Sequence, residues 1–291
     1  MSRVLPDPPR LLLGVSSLDQ PVRTTRDRQL EVASRFKEPE SLAVALVKGI
    51  DAGAQGVIAP PTTDVREALA ELNKDLPLYA RLLHTSPAED LRWDPVFLSN
   101  PSEEAAQSQR IGRRTGKGSV SLLPLGMSGD LASRVLPRME REVAFFNLKA
   151  VRGIAVAASA TDLALAGGQH KFFERVTRFA HHRRWLAGFE TRNLGHLLGR
   201  CKSWAFTPDF VIGPVNPRGV GMTPDAERVL REIRASQVRV IACELRAGGL
   251  VALEEGAAYA RRHGAWGLCV ELVDMDDVPK ELKGLAPAAA A

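Results

Sequence analysis

WLAGFETRNLGHLLGRCKSWAFTPDFVIGPVN, residues 185–216, reads as one unit of strand, helix and strand. The apolar runs WLAGFET (185–191) and DFVIGPVN (209–216) have strand length, and the stretch between them, 192–204, has helix length. Two strands joined by a helix of this size pair in parallel, because the helix must cross the sheet to return the chain to the same edge.

The same alternation extends in both directions. Upstream, the strand candidates are LLLGVSS (11–17), GVIAPP (56–61), PLYARLL (77–83) and GIAVAAS (153–159); downstream they are VRVIACEL (238–245) and WGLCVEL (266–272). Helical segments are expected at 40–53, 64–74, 129–147, 161–183, 223–236, 253–264 and 276–284, with Thr223 as a cap before Pro224. Eight strand and helix units predict an α/β fold, a single (β/α)8 TIM barrel over residues 1–291. An open doubly wound sheet is the competing fold, but no strand runs into a full GxGxxG turn. Two long connections interrupt the repeat: residues 18–39 after the first strand, and an inserted loop or hairpin, 86–128, after the third. The second contains the basic, glycine-rich QRIGRRTGKG and is expected over the barrel mouth, where the loops after the strands build barrel active sites.

Composition narrows the partners. Hydrophobic residues at 45% and charged residues at 25% describe an ordinary globular chain, with no apolar run of bilayer length, so no membrane partner is expected. Three cysteines without CxxC spacing fit a reducing compartment, and a cytoplasmic location is expected. The net charge of +5 is scattered over many arginines, and aromatics are only 5%, which argues against a nucleic-acid partner. A small-molecule substrate and a homo-oligomeric assembly both agree with the chain.

Strand parity then selects candidate residues. If Gly188, Ala242 and Gly267 face inward, so do Glu190, Glu244, Cys269 and Glu271, two or four residues onward. Three carboxylates at one mouth require cations, donors or protons, so Glu190, Glu244 and Glu271 are expected as catalytic acid/base groups or as ligands for Mg2+ or Mn2+. The plain alternative is a salt-bridged rim using Arg192, Arg218 or Arg246. His84, at the end of the third strand, is a further general acid or base candidate. His196 also starts a helix near the mouth. Arg81, Asn216, Arg218 and Arg246 lie at strand ends and are the expected substrate contacts.

From about residue 185 to 278, GFETRN, DFVIGPVNP and VIACELRAGGL resemble the fifth, sixth and seventh strand segments of the aldo/keto reductase barrels. That resemblance implies the barrel fold and NADPH-dependent carbonyl reduction. The family's Asp, Tyr, Lys and His tetrad has no counterpart here: the second strand ends APPTTD, the third Leu82-Leu83-His84, and the fourth Ala158-Ser159. The expected function is therefore a lyase or isomerase acting on a small polar metabolite by carboxylate or metal-assisted chemistry. A divergent NADPH-dependent reductase and a non-catalytic ligand-binding barrel are the alternatives.

Overall fold

The computed structural model describes residues 5–15, 31, 34–36, 38–72, 76–83 and 131–285. Eight strands, β1 (Leu11–Gly14), β2 (Gly56–Ala59), β3 (Leu78–Leu82), β4 (Val151–Val156), β5 (Leu186–Glu190), β6 (Phe210–Pro214), β7 (Val240–Cys243) and β8 (Gly267–Glu271), close into one parallel barrel in sequence order. β1 pairs with β8 through Leu12 and Cys269, and Gly14 lies beside Glu271, which completes the ring. The fold is the expected (β/α)8 barrel. The inserted 86–128 segment and its QRIGRRTGKG stretch lie outside the described residues, as does His84.

Helices occupy the outside: α1 (Pro39–Asp51), α2 (Thr63–Ala70), α3 (Leu131–Val143), α4 (Ala158–Ala166), α5 (His170–His182), α6 (Leu194–Ser203), α7 (Ala226–Ala235), α8 (Leu253–Arg262) and α9 (Val278–Lys283). None is long and apolar enough to cross a membrane. Two expectations change here. The stretch 161–183 splits into α4 and α5 because Gly167 and Gly168 end the first helix, Gly168 at φ +61°. α7 is capped not by Thr223 but by Asp225, whose carboxylate accepts from Arg228 N at 2.8 Å.

Alternation along the strands separates two apolar sets. Leu12, Ile58, Tyr79, Ala155, Leu186, Phe210, Ile212, Ile241 and Cys269 pack inside the barrel, with Cys243 and Trp266 against them. Their sequence neighbours, such as Leu11, Leu13, Ala80, Phe189, Ala242 and Val270, pack under the helices. The N-terminal end of the barrel is closed by Trp266, whose indole N–H donates to Pro8 O at 2.9 Å while the Arg10 guanidinium lies 3.3 Å above its ring. With that end sealed, the open chemistry belongs to the other end, where β5 and β8 finish in glutamate.

Candidate active site at the barrel mouth

Period-two alternation in LYARL points Tyr79 and Arg81 to the barrel interior, between the outward Leu78, Ala80 and Leu82. Arg81 is fully buried, and it is the group that Glu190 and Glu271 share. Its Nη2 donates to Glu190 Oε1 and to Glu271 Oε1, each at 3.2 Å. Its Nε lies 3.1 Å from Glu190 Oε2, an ion-pair contact too poorly aligned for a hydrogen bond. Nη1 has no hydrogen-bond partner among the described residues. The two carboxylate side chains keep 19% and 17% of their surface exposed, so this is the point at which a buried charge cluster meets the outside.

Each member is held from behind. Gly14 makes room for Glu271: a Cβ at position 14 would lie 2.4 Å from the carboxyl carbon of Glu271, so only glycine permits the carboxylate to lie there. Beyond Glu190, Asp162 of α4 accepts hydrogen bonds from the Thr191 hydroxyl and from Arg192 N, the latter at 3.1 Å, and Thr191 Oγ1 accepts from Asn193 N at 2.9 Å. Two residues after Arg81, Leu83 turns into the left-handed region at φ +58°, and its N–H donates to Glu142 of α3 at 2.6 Å. The strand ends are therefore anchored by the surrounding helices.

Burial raises the Glu190 carboxyl above its usual pKa, outweighing the opposing pull of Arg81, and Glu271 adds to the rise. Burial also works against the Arg81 charge, but Glu190 and Glu271 outweigh it, and the guanidinium stays protonated. On β7 the Cys243 thiol is pushed well above its ordinary value by burial first and by nearby carboxylates second.

The third glutamate does not join. The inward residues of β7 are Ile241 and Cys243, so Ala242 faces the helices, one position out of step with the expected parity. Glu244 follows the strand end in the left-handed region at φ +52°, inside the turn in which Ala247 N donates to Glu244 O at 3.0 Å. The expected three-glutamate metal centre for Mg2+ or Mn2+ is thereby corrected. The groups facing each other are two carboxylates and a guanidinium, and no cluster of three or more His, Cys, Asp or Glu among the described residues is arranged to hold a metal ion.

The remaining candidates scatter. Asn216 is buried, and its amide is occupied by Val220, donating from Nδ2 to Val220 O at 2.9 Å and accepting from Val220 N at 3.0 Å. Arg218 is exposed on the loop these bonds close. Arg246 reaches toward α9, with Nη1 3.6 Å from Glu281 Oε2. His196 is exposed on α6. Sequence reasoning placed Arg81 at the mouth but offered Arg192, Arg218 and Arg246 as the partners of the glutamates; the parity of LYARL was the available signal. It also missed Gly14 and Asp162, whose parts depend on contacts between distant segments.

No protein family and no curated protein matches the sequence. Among solved structures, the apo form of Gox0644 matches with a TM-score of 0.52 at 11% identity, over 97% of this chain and 84% of that one. An archaeal fructose-1,6-bisphosphate aldolase matches at TM-score 0.47 and 13% identity, over 96% of this chain and 92% of that one. An aldo/keto reductase from Brucella melitensis matches at TM-score 0.46 and 10% identity, over 97% and 92%. At such identities the likeness is one of fold, and the fold is the (β/α)8 barrel.

Proposed function

We propose that this barrel is an enzyme of lyase or isomerase type, in which Glu190 and Glu271 divide acid and base roles on a small polar metabolite held against Arg81. One observation carries the reading: a fully buried arginine at the C-terminal mouth is flanked by two carboxylates yet keeps one guanidinium nitrogen without a hydrogen-bond partner among the described residues. A buried donor left unpaired costs about 1–3 kcal/mol, a cost that a bound oxygen removes. Burial disfavours the charge on Glu190 and raises its pKa, which suits it to the acid role. Glu271, on the other side of the same guanidinium, is the base. The position at the ends of β3, β5 and β8 supports this, since active sites in this fold lie at the ends of the strands.

The test is turnover of a mixture of small polar metabolites followed by mass spectrometry, with Glu190→Gln and Glu271→Gln beside the wild type. Wild type is expected to convert at least one compound, and each variant to lose about 100-fold or more of that rate while melting cooperatively. Undiminished turnover in both variants would remove the acid/base roles. Loss of folding in both would mark the cluster as a structural ion network.

A further inference from the structure

We infer that Cys243 and Cys269 form a dithiol at the barrel mouth that hydrogen peroxide converts to an intramolecular disulfide, a redox-modification site independent of the acid/base reading. Strand register brings the two together. β7 and β8 pair in parallel with Ile241 beside Gly267 and Ala242 beside Leu268, so the next step sets Cys243 beside Cys269. Both side chains lie on the inner face, Cys269 within the interior apolar set and Cys243 packed against it. Lateral neighbours on paired strands stand about 4.8 Å apart, inside the Cα range of about 4.4–6.8 Å that disulfides span. The small approach that the sulfurs still need falls at a strand end: Cys243 is last in β7, and Glu244 turns away at φ +52°. Their nearness also shows electrostatically, since charge on Cys269 disfavours charge on Cys243.

The chain has one other cysteine, and it marks the contrast. All three cysteines are among the described residues, and all are thiols in this structure. Cys201, on α6, packs in the layer beneath the helices, on the other side of the barrel wall from the pair. A single buried cysteine serves as a small apolar side chain, whereas two at one level of neighbouring strands can share a reaction. One thiol takes an oxygen from the peroxide, which gives a sulfenic acid and one water. The other thiol then attacks that sulfur, the S–S bond forms and the hydroxyl leaves as a second water. The two sulfurs lose two electrons, and the O–O bond of the peroxide accepts them. Cys243 is half-buried and Cys269 buried, which favours a small oxidant over a protein disulfide. The raised Cys243 pKa, from burial first and nearby carboxylates second, slows thiolate attack without changing the product. In a reducing compartment such a bond is transient, as oxidation-sensing disulfides are.

Hydrogen peroxide is added to the reduced full chain at mildly alkaline pH, in wild type and in Cys201→Ala, Cys243→Ala and Cys269→Ala. Remaining thiols are then alkylated in denaturant, and the intact mass and a non-reducing tryptic map are recorded. Wild type is expected to lose two of its three thiols together and two hydrogens in mass, and to yield linked peptides 240–246 and 263–280. Dithiothreitol should restore both thiols. Cys201→Ala is expected to behave as wild type, while Cys243→Ala and Cys269→Ala form no intramolecular disulfide. A link that includes Cys201, sulfinic acids without a link, or survival of both thiols would overturn the inference. If either variant of the pair does not fold, the maps of wild type and Cys201→Ala decide by themselves.

Discussion

An arginine with no exposed surface is costly unless opposite charges accompany it into the interior, and at position 81 two carboxylates do. The cost is distributed unevenly: the Arg81 charge is secured, while Glu190, more buried than its contacts with Arg81 can offset, has its ionised form disfavoured. The consequence for stability has a definite sign. With its folded pKa above the ordinary 4.5, Glu190 keeps a proton in the native state that the unfolded chain releases. Its contribution is therefore complete below the ordinary value and is lost as pH rises through the folded value, at up to about 1.4 kcal/mol per pH unit. Glu190→Gln removes this titration. Chemical denaturation of both proteins from pH 4.5 upward is expected to show wild type losing stability relative to the variant as pH rises. A difference that is flat with pH, or that runs the other way, would contradict it. At this scale the sequence was readable where a single rule applied. Period-two parity carried Glu190 and Glu271 to the mouth, and a strand-end position carried Arg81 there, but neither could show that Arg81 is the partner of both, which depends on how three separate strands close.

Among the elements, what misled was the end of a strand. Parity counting assumes extended backbone throughout, and in VRVIACEL the extended stretch stops at Cys243, so Glu244 enters a left-handed turn. Apolar residues on both faces of β7 also offered no polar position to fix the phase, as is usual for strands covered on both sides. Helix ends were more legible, yet α4 and α5 show a glycine pair breaking what periodicity joined. The loop after β6 shows how a polar strand-end residue serves structure. Asn216 makes both its amide bonds to Val220, and Asn216 N lies 3.5 Å from Met222 Sδ, so the turn is organised around one side chain. Asn216→Ala is expected to cost about 1–3 kcal/mol, because two backbone groups lose their partner. Hydrogen exchange at the Val220 amide should accelerate well beyond the global change. Unchanged exchange there, with weakened ligand binding, would instead identify Asn216 as a ligand contact.

Across the whole molecule, the barrel encloses a filled core, and its interior alternates large side chains against glycine. Tyr79 of β3 lies over Gly56 of β2 and Gly153 of β4, where an added Cβ would come within 2.8 Å of the ring at each. Phe210 of β6 lies over Gly188 of β5, with its ring 2.1 Å from where a Cβ would stand, and the two aromatic rings meet edge to face with centroids 6.0 Å apart. This layer lies directly beneath the Arg81 cluster, since Tyr79 and Gly188 precede Arg81 and Glu190 by two residues on their strands. Ring and glycine are thus complementary, and their complementarity can be measured. Gly188→Ala alone overpacks a rigid interior and is expected to cost about 1–3 kcal/mol, while Phe210→Leu alone removes ring atoms and leaves a void of similar cost. Combined, the new methyl group enters space vacated by the ring, so the double variant should be more stable than the sum of the single effects implies by about 0.5–3 kcal/mol. Urea denaturation of the four proteins gives the coupling energy directly. An additive result would mean that Phe210 moves aside for alanine at no cost, and that the layer supporting Arg81 is looser than its contacts indicate.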